Sequence, residues 1–131
     1  MLPGTFRLLV GIAGFLGIAS CDEPVADRSL DKRVASADVP RGAALVGQYG
    51  CAACHEIPGV RAFGGAVGPS LVRLSSRAYI AGGLPNRPDT VAHFIVNAPL
   101  LSPDTAMPNM RVTLEEARDI AAYLYALPGR S

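Results

Sequence analysis

Two cysteines three positions apart, with a histidine directly after the second, are the residues of this chain best suited to chemistry. They are Cys51, Cys54 and His55 in the run "YGCAACHEIPG". Three chemistries use such a spacing. A redox dithiol needs a βαβ context with a helix starting after the first cysteine, whereas here the helical pattern precedes the cysteines and strand-like alternation is missing. A structural zinc site needs four nitrogen or sulfur ligands, and the other candidates are only His93 and Cys21. The third chemistry is covalent haem attachment, for which Cys-x-x-Cys-His is the signature. Each thiol adds across a haem vinyl group to give a thioether, and the next histidine ligates the iron from the proximal side. The spacing sets both sulfurs on one edge of the porphyrin with the imidazole reaching underneath.

The residues upstream favour the third chemistry. "MLPGTFR" is a short n-region, and "LLVGIAGFLGIAS" is an apolar run too short for a comfortable membrane span, so residues 1–20 read as a secretory signal. The alternative is an uncleaved N-terminal membrane anchor. "IASC" resembles the bacterial lipobox, which implies that Cys21 becomes a lipidated N-terminus; two or three acyl chains anchor firmly where one binds marginally. Asp22 resembles an inner-membrane retention signal. On this reading the cysteines balance, since one lipid and two thioethers leave no odd thiol among three cysteines. Residues 22–40 mix both charges with Ala, Ser and Pro and have no sustained apolar period, which describes a flexible tether of roughly 24 Å r.m.s. reach.

A ligand on the other face of the iron separates electron transfer from small-molecule chemistry. The candidates are His93, Met107 and Met110. His93 falls nearly opposite the apolar stripe of its helix and reads as a solvated side chain. Met107 stands directly before Pro108 in "SPDTAMPNM", where a Pro-rich backbone can hold a thioether rigidly. Met110 reads as a core residue packing against the last helix.

Around these residues lies one small domain, residues 41–131, expected to be all-α with three main helices. "RGAALVGQYGC" puts Ala44, Leu45 and Tyr49 near one stripe, weakened by Gly42 and Gly47. "PDTVAHFIVNAP" opens with Pro and Asp, ends before Pro99, and aligns Val91, Phe94, Ile95 and Ala98. "TLEEARDIAAYLYALPG" starts with a capping box of Thr113 and Glu116, and Leu114, Ala117, Ile120, Ala121 and Leu124 line one side. A shorter helical turn is expected in "PSLVRLSSR". The Gly/Pro-rich stretches "IPGVRAFGGAVGP" and "IAGGLPNRP" are long for so small a domain, which points to a bound apolar body for them to wrap.

With these features in place, residues 41–131 resemble a class I (monohaem) cytochrome c. The likeness lies in the order "CAACH", "VGPSLVRL", the helix ending "VNAP", "SPDTAMP", and a last helix carrying "AAYLYAL". The resemblance implies a cytochrome c fold of helices and long loops around one covalently attached haem c. It implies thioethers at Cys51 and Cys54, axial ligands His55 and Met107, and a Pro69 carbonyl that orients His55. Leu71, Leu74 and Arg77 match the family's spaced Leu, Leu and Arg. Arg77 would sit near a haem propionate and Thr105 would hydrogen-bond one. Tyr123 and its small neighbours match the terminal helix that crosses the first, with Gly42, Ala43 or Gly47 allowing the approach. Phe94 stands where mitochondrial-type relatives often carry a tyrosine whose hydroxyl reaches the methionine sulfur, and the lysine ring of those relatives is missing.

The function expected is electron transfer without bond chemistry by the protein: a single-haem carrier tethered by lipid to the periplasmic side of a bacterial cytoplasmic membrane. Its partners would be a donor complex and a terminal oxidase or other high-potential acceptor in a respiratory chain. "IPGVRAFGG" is a candidate docking rim, or a loop that covers the haem. An alternative is a haem-bearing relay subunit of a dehydrogenase or oxidase complex. A haem sensor or peroxidase would need an open sixth position. A net charge of +1 and a single lysine argue against a nucleic-acid partner.

Overall fold

Asp38 starts the first helix. Its side chain accepts from the backbone N–H of Arg41 at 3.0 Å, and Pro40 occupies the first turn, where a missing N–H costs nothing. In this computed structural model, which describes residues 33–61 and 67–128, helix α1 runs Val39–Gln48. The sequence pattern puts Val39 and Pro40 in the tether. Here they are helical, and Val34 packs against the core as well. The helix ends at Tyr49, and Gly50 follows at φ 66°, a left-handed conformation that glycine adopts without a steric penalty.

The middle of the chain yields α2 (Pro88–Val96) and a short α3 (Ala98–Leu101). One helix up to Pro99 was expected. The chain instead breaks at Asn97, because a proline at 99 clashes with the carbonyl four residues earlier. α2 buries Val91, Ala92 and Ile95 and leaves Phe94 half-buried; Ala98 of α3 is buried too. Helix α4 (Leu114–Ala126) carries the expected capping box, with both reciprocal hydrogen bonds formed. Its buried face is Ala117, Ile120, Ala121, Leu124 and Tyr125. A 3₁₀ turn at Leu74–Ser76 answers the short helical turn expected there.

Among the described residues the remaining regular structure is a second 3₁₀ turn and a two-stranded hairpin, β1 (Tyr79–Ile80) and β2 (Leu84–Pro85), paired Tyr79 to Pro85 and Ile80 to Leu84. Strands of two residues are too short to show an alternation, so the sequence pattern does not reveal them. The domain is thus mostly helical, with four helices and one small sheet.

The core lies where α1 and α2 pack against α4. Leu45 and Val46 of α1 join it, while Ala44 is exposed and Tyr49 half-buried. α1 crosses α4 at Gly42. A Cβ there would collide with the backbone carbonyl of Asp119 and stand 3.0 Å from the Tyr123 Cβ, whereas open space surrounds Gly47. Of the two glycines expected to permit the crossing, Gly42 is the one at the contact. Asp119 is 3 % exposed and clasps the same crossing: it accepts from Asp38 N–H and from Arg41 Nη1, each at 2.7 Å.

Candidate functional site

Gly50 turns the chain out of α1 into a 3₁₀ turn over Cys51–Ala53, and the N–H of His55 donates to the Cys51 carbonyl at 3.0 Å. Both cysteines and the histidine are therefore presented by one tight turn. That turn forms one wall of a cleft of about 380 Å³. Gly68 and Pro69 lie beside it, and Arg77, Ile80 and Ala81 supply a second wall. Phe94 of α2 and the segment Thr105, Ala106, Met107, Pro108, with Met110, complete the lining. The lining is dominated by apolar groups. A further space of about 80 Å³, lined by Cys51, His55, Phe94 and Met107 among others, reaches inward to Ile120 and Leu124 of α4.

The histidine is held in one tautomer. Its Nδ1 lies 2.7 Å from the Pro69 carbonyl. A carbonyl only accepts, so Nδ1 carries the proton and Nε2 keeps its lone pair for a metal. Gly68 packs flat against the ring, where an added Cβ would overlap Cε1 and stand 2.6 Å from Nδ1. Carbonyl and glycine together leave the imidazole little freedom to turn.

All the cleft residues expected from the sequence converge: Cys51, Cys54, His55, Pro69, Arg77, Thr105 and Met107 line one space. Arg77 donates through Nη2 to the carbonyls of Ser70 and Val72. Thr105 accepts the Met107 N–H at 3.2 Å, which leaves its own hydroxyl proton available to donate. Met110 lines the cleft as well as packing on the core. Its neighbours differ from those of Met107. Residues 105–108 all line the cleft, but Asn109 and Arg111 do not, and Arg111 at φ 55° turns the chain toward α4. His93 is exposed and absent from the lining. Cys21 and residues 62–65 of the expected docking rim lie outside the described residues.

The competing chemistries fit less well. Burial in the cleft wall pushes the Cys51 thiol up, opposite to the lowered value of a reactive dithiol. Among the described residues no three His, Cys, Asp or Glu side chains gather as a metal site. A haem fits what is present: an apolar cleft lined by two thiols, an imidazole whose Nδ1 is engaged, a thioether, and a guanidinium and a hydroxyl to meet carboxylates.

Three residues, two by the site and one at the α1–α4 crossing, carry no periodic or motif signal in the sequence. Gly68 precedes Pro69 and reads as turn punctuation; only the fold shows that it presses on His55. Asn86, 2 % exposed, sits in the loop "IAGGLPNRP" and reads as turn chemistry. Asp119 reads as one more charge on the polar side of α4.

No helix among the described residues is long and apolar enough to cross a membrane. Searches of the curated proteins and of the solved structures return no match. A family model described as Cytochrome C oxidase, cbb3-type, subunit III matches residues 37–124, a span that runs from the cap of α1 through most of α4 and includes every lining residue of the cleft. The chain belongs to that family, and its domain is that of a c-type cytochrome, a haem-binding electron-transfer protein.

Proposed function

We propose that this protein is a membrane-tethered electron carrier with a single haem c, passing electrons toward a terminal oxidase or another high-potential acceptor. Cys51 and Cys54 would form the two thioethers, His55 and Met107 would be the axial ligands, and Pro69 would orient His55. Arg77 and Thr105 would meet the propionates. Cys21 would carry the lipid and face the periplasm. A haem held there supplies reversible one-electron exchange, and His/Met ligation raises its reduction potential. The chain's own work is to hold two ligands, keep His55 in one tautomer, and exclude water with Phe94, Ile80 and Pro108.

One observation carries the reading. Cys51, Cys54, His55 and Met107, up to 56 positions apart in sequence, line the same cleft, with Nδ1 of His55 engaged and Nε2 available. A pyridine haemochrome spectrum of the purified protein should show one c-type haem per chain, and alkylation should find neither thiol free. The weak far-red absorbance of sulfur-ligated ferric haem should vanish in Met107→Ala and persist in Met110→Ala. The opposite pattern would move the ligand to Met110. A mass spectrum of the mature N-terminus should show an acylated Cys21.

A second reading is favoured by the family description: the domain serves as a relay module within a respiratory oxidase complex instead of diffusing on its tether. Purification in mild detergent separates the two. A carrier should elute alone, and a module should bring oxidase subunits with it.

A further inference from the structure

The segment 69–77 carries both the carbonyl that holds His55 and the guanidinium that lines the cleft. Its regular structure is a single 3₁₀ turn. Backbone bonds from Gly68 N–H to the Cys54 carbonyl and from Leu71 N–H to the Glu56 carbonyl, each at 2.8 Å, tie its start to the cysteine turn, and side chains hold the rest. Arg77 closes the segment on itself through the carbonyls of Ser70 and Val72. Asn86 holds it from behind. Its Nδ2 donates to the carbonyls of Leu74 at 2.7 Å and Arg77 at 2.8 Å, and its backbone N–H donates to Ala78 at 2.9 Å. Its Oδ1 accepts from the Tyr125 hydroxyl of α4 at 2.8 Å. The contacts run unbroken from Tyr125 through Asn86 and the 69–77 segment to Nδ1 of His55.

We propose that Asn86 is a positioning residue for His55: by fastening segment 69–77 to α4 it sets the Pro69–His55 hydrogen bond, and with it the electron donation of the imidazole. This rests on the reading of His55 as an iron ligand. The residue type fits the task. Two donors and an acceptor in one planar group meet two carbonyls and a hydroxyl at once; an ionised aspartate offers no donor and a leucine neither function. A buried network with every member satisfied is rigid, and losing one member leaves the others unpaired. The sign follows from ligand basicity. A firm Nδ1–H to carbonyl bond strengthens the imidazole as a donor and favours the ferric state. A slackened bond raises the midpoint potential.

The test uses haem-loaded, full-length protein and two readouts: exchange of the His55 Nδ1 proton by NMR in the reduced state, and the one-electron midpoint potential. Asn86→Ala should speed the exchange about tenfold or more and shift the reduced-to-oxidised ratio at fixed potential about tenfold toward reduced, equivalent to about 59 mV. Tyr125→Phe should move both in the same direction by less. Val46→Ala, a buried α1 variant remote from the cleft lining, serves as the control for general loosening. If Asn86→Ala and Tyr125→Phe match Val46→Ala in both readouts, the proposal fails; should Asn86→Ala not accumulate, Tyr125→Phe decides. A wild-type protein without haem would overturn the ligand reading and this inference together. A haem-loaded wild type whose variants leave His55 unmoved would overturn the inference alone.

Discussion

Gly68 and His55 show how much a site depends on a residue with no side chain. The imidazole lies where a Cβ of residue 68 would be, so Gly68→Ala forces the ring to shift or the Pro69 bond to break. Inserting a methyl into so tight a contact typically costs roughly 1–3 kcal/mol. The expected outcome is a lower haem-to-protein ratio by absorbance and a lower unfolding temperature, with the remaining haem poorly ligated. Cys51, Cys54 and His55 stand out in the sequence because the Cys-x-x-Cys-His signature fixes both residue types and spacing. Gly68 could not be, because its role depends on a ring thirteen positions away in the chain.

At the scale of elements, α1 and α4 are joined at both ends of their contact. Near the site, Tyr49 donates to Glu116 Oε2 at 3.0 Å, and the same oxygen accepts from Thr113 N–H at 2.8 Å and from the Thr113 hydroxyl at 2.9 Å. The Thr113 bonds, backbone first, hold the Glu116 carboxyl below its ordinary value of 4.5, with Tyr49 adding to the effect. A carboxylate whose value is depressed by folding stabilises fully above the unfolded value, and that contribution is lost as pH falls through the folded one. Urea midpoints followed from neutral pH into acid should therefore drop below about pH 4.5, and Glu116→Gln should flatten part of that slope. At the crossing itself, Gly42→Ala drives a methyl into the Asp119 carbonyl. A loss of roughly 1–3 kcal/mol is expected, or about 4–8 °C of melting temperature per kcal/mol, measurable by circular dichroism.

At the scale of the whole molecule, the described helices and loops surround one apolar cleft. A second space that shares lining residues with the cleft reaches Ile120 and Leu124, so apolar residues of α2 and α4 face it. Removing the two attachment points with Cys51→Ser and Cys54→Ser should leave that interior to water. Such a colourless protein should unfold on the order of 10 °C lower and over a broader range, since roughly 2 kcal/mol moves a domain of this size that far. Thermal scans of purified wild type and double variant, side by side, check this. The loops that the sequence marks as too long for so small a core, "IPGVRAFGGAVGP" and "IAGGLPNRP", supply Val67, Gly68, Pro69, Ile80 and Ala81 to the cleft walls.

The amino-acid order alone marks the Cys-x-x-Cys-His turn, three helices, the last with its capping box, and the methionine segment, because each rests on local chemistry: a spaced motif, the 3.6-residue period, a capping box, a proline. Tertiary structure alone decides the rest. The start of α1 at Val39 depends on Asp38 capping that helix while its N–H is bound by Asp119, and the break at Asn97 separates α2 from α3 ahead of Pro99. Whether Gly42 or Gly47 meets α4, and whether Asn86 is turn punctuation or a buried clasp, are questions about partners 39 to 81 residues apart. Hydrogen bonds and steric contacts across such distances leave no periodic mark on a sequence, since they are specified only when the chain has folded and both partners stand in place.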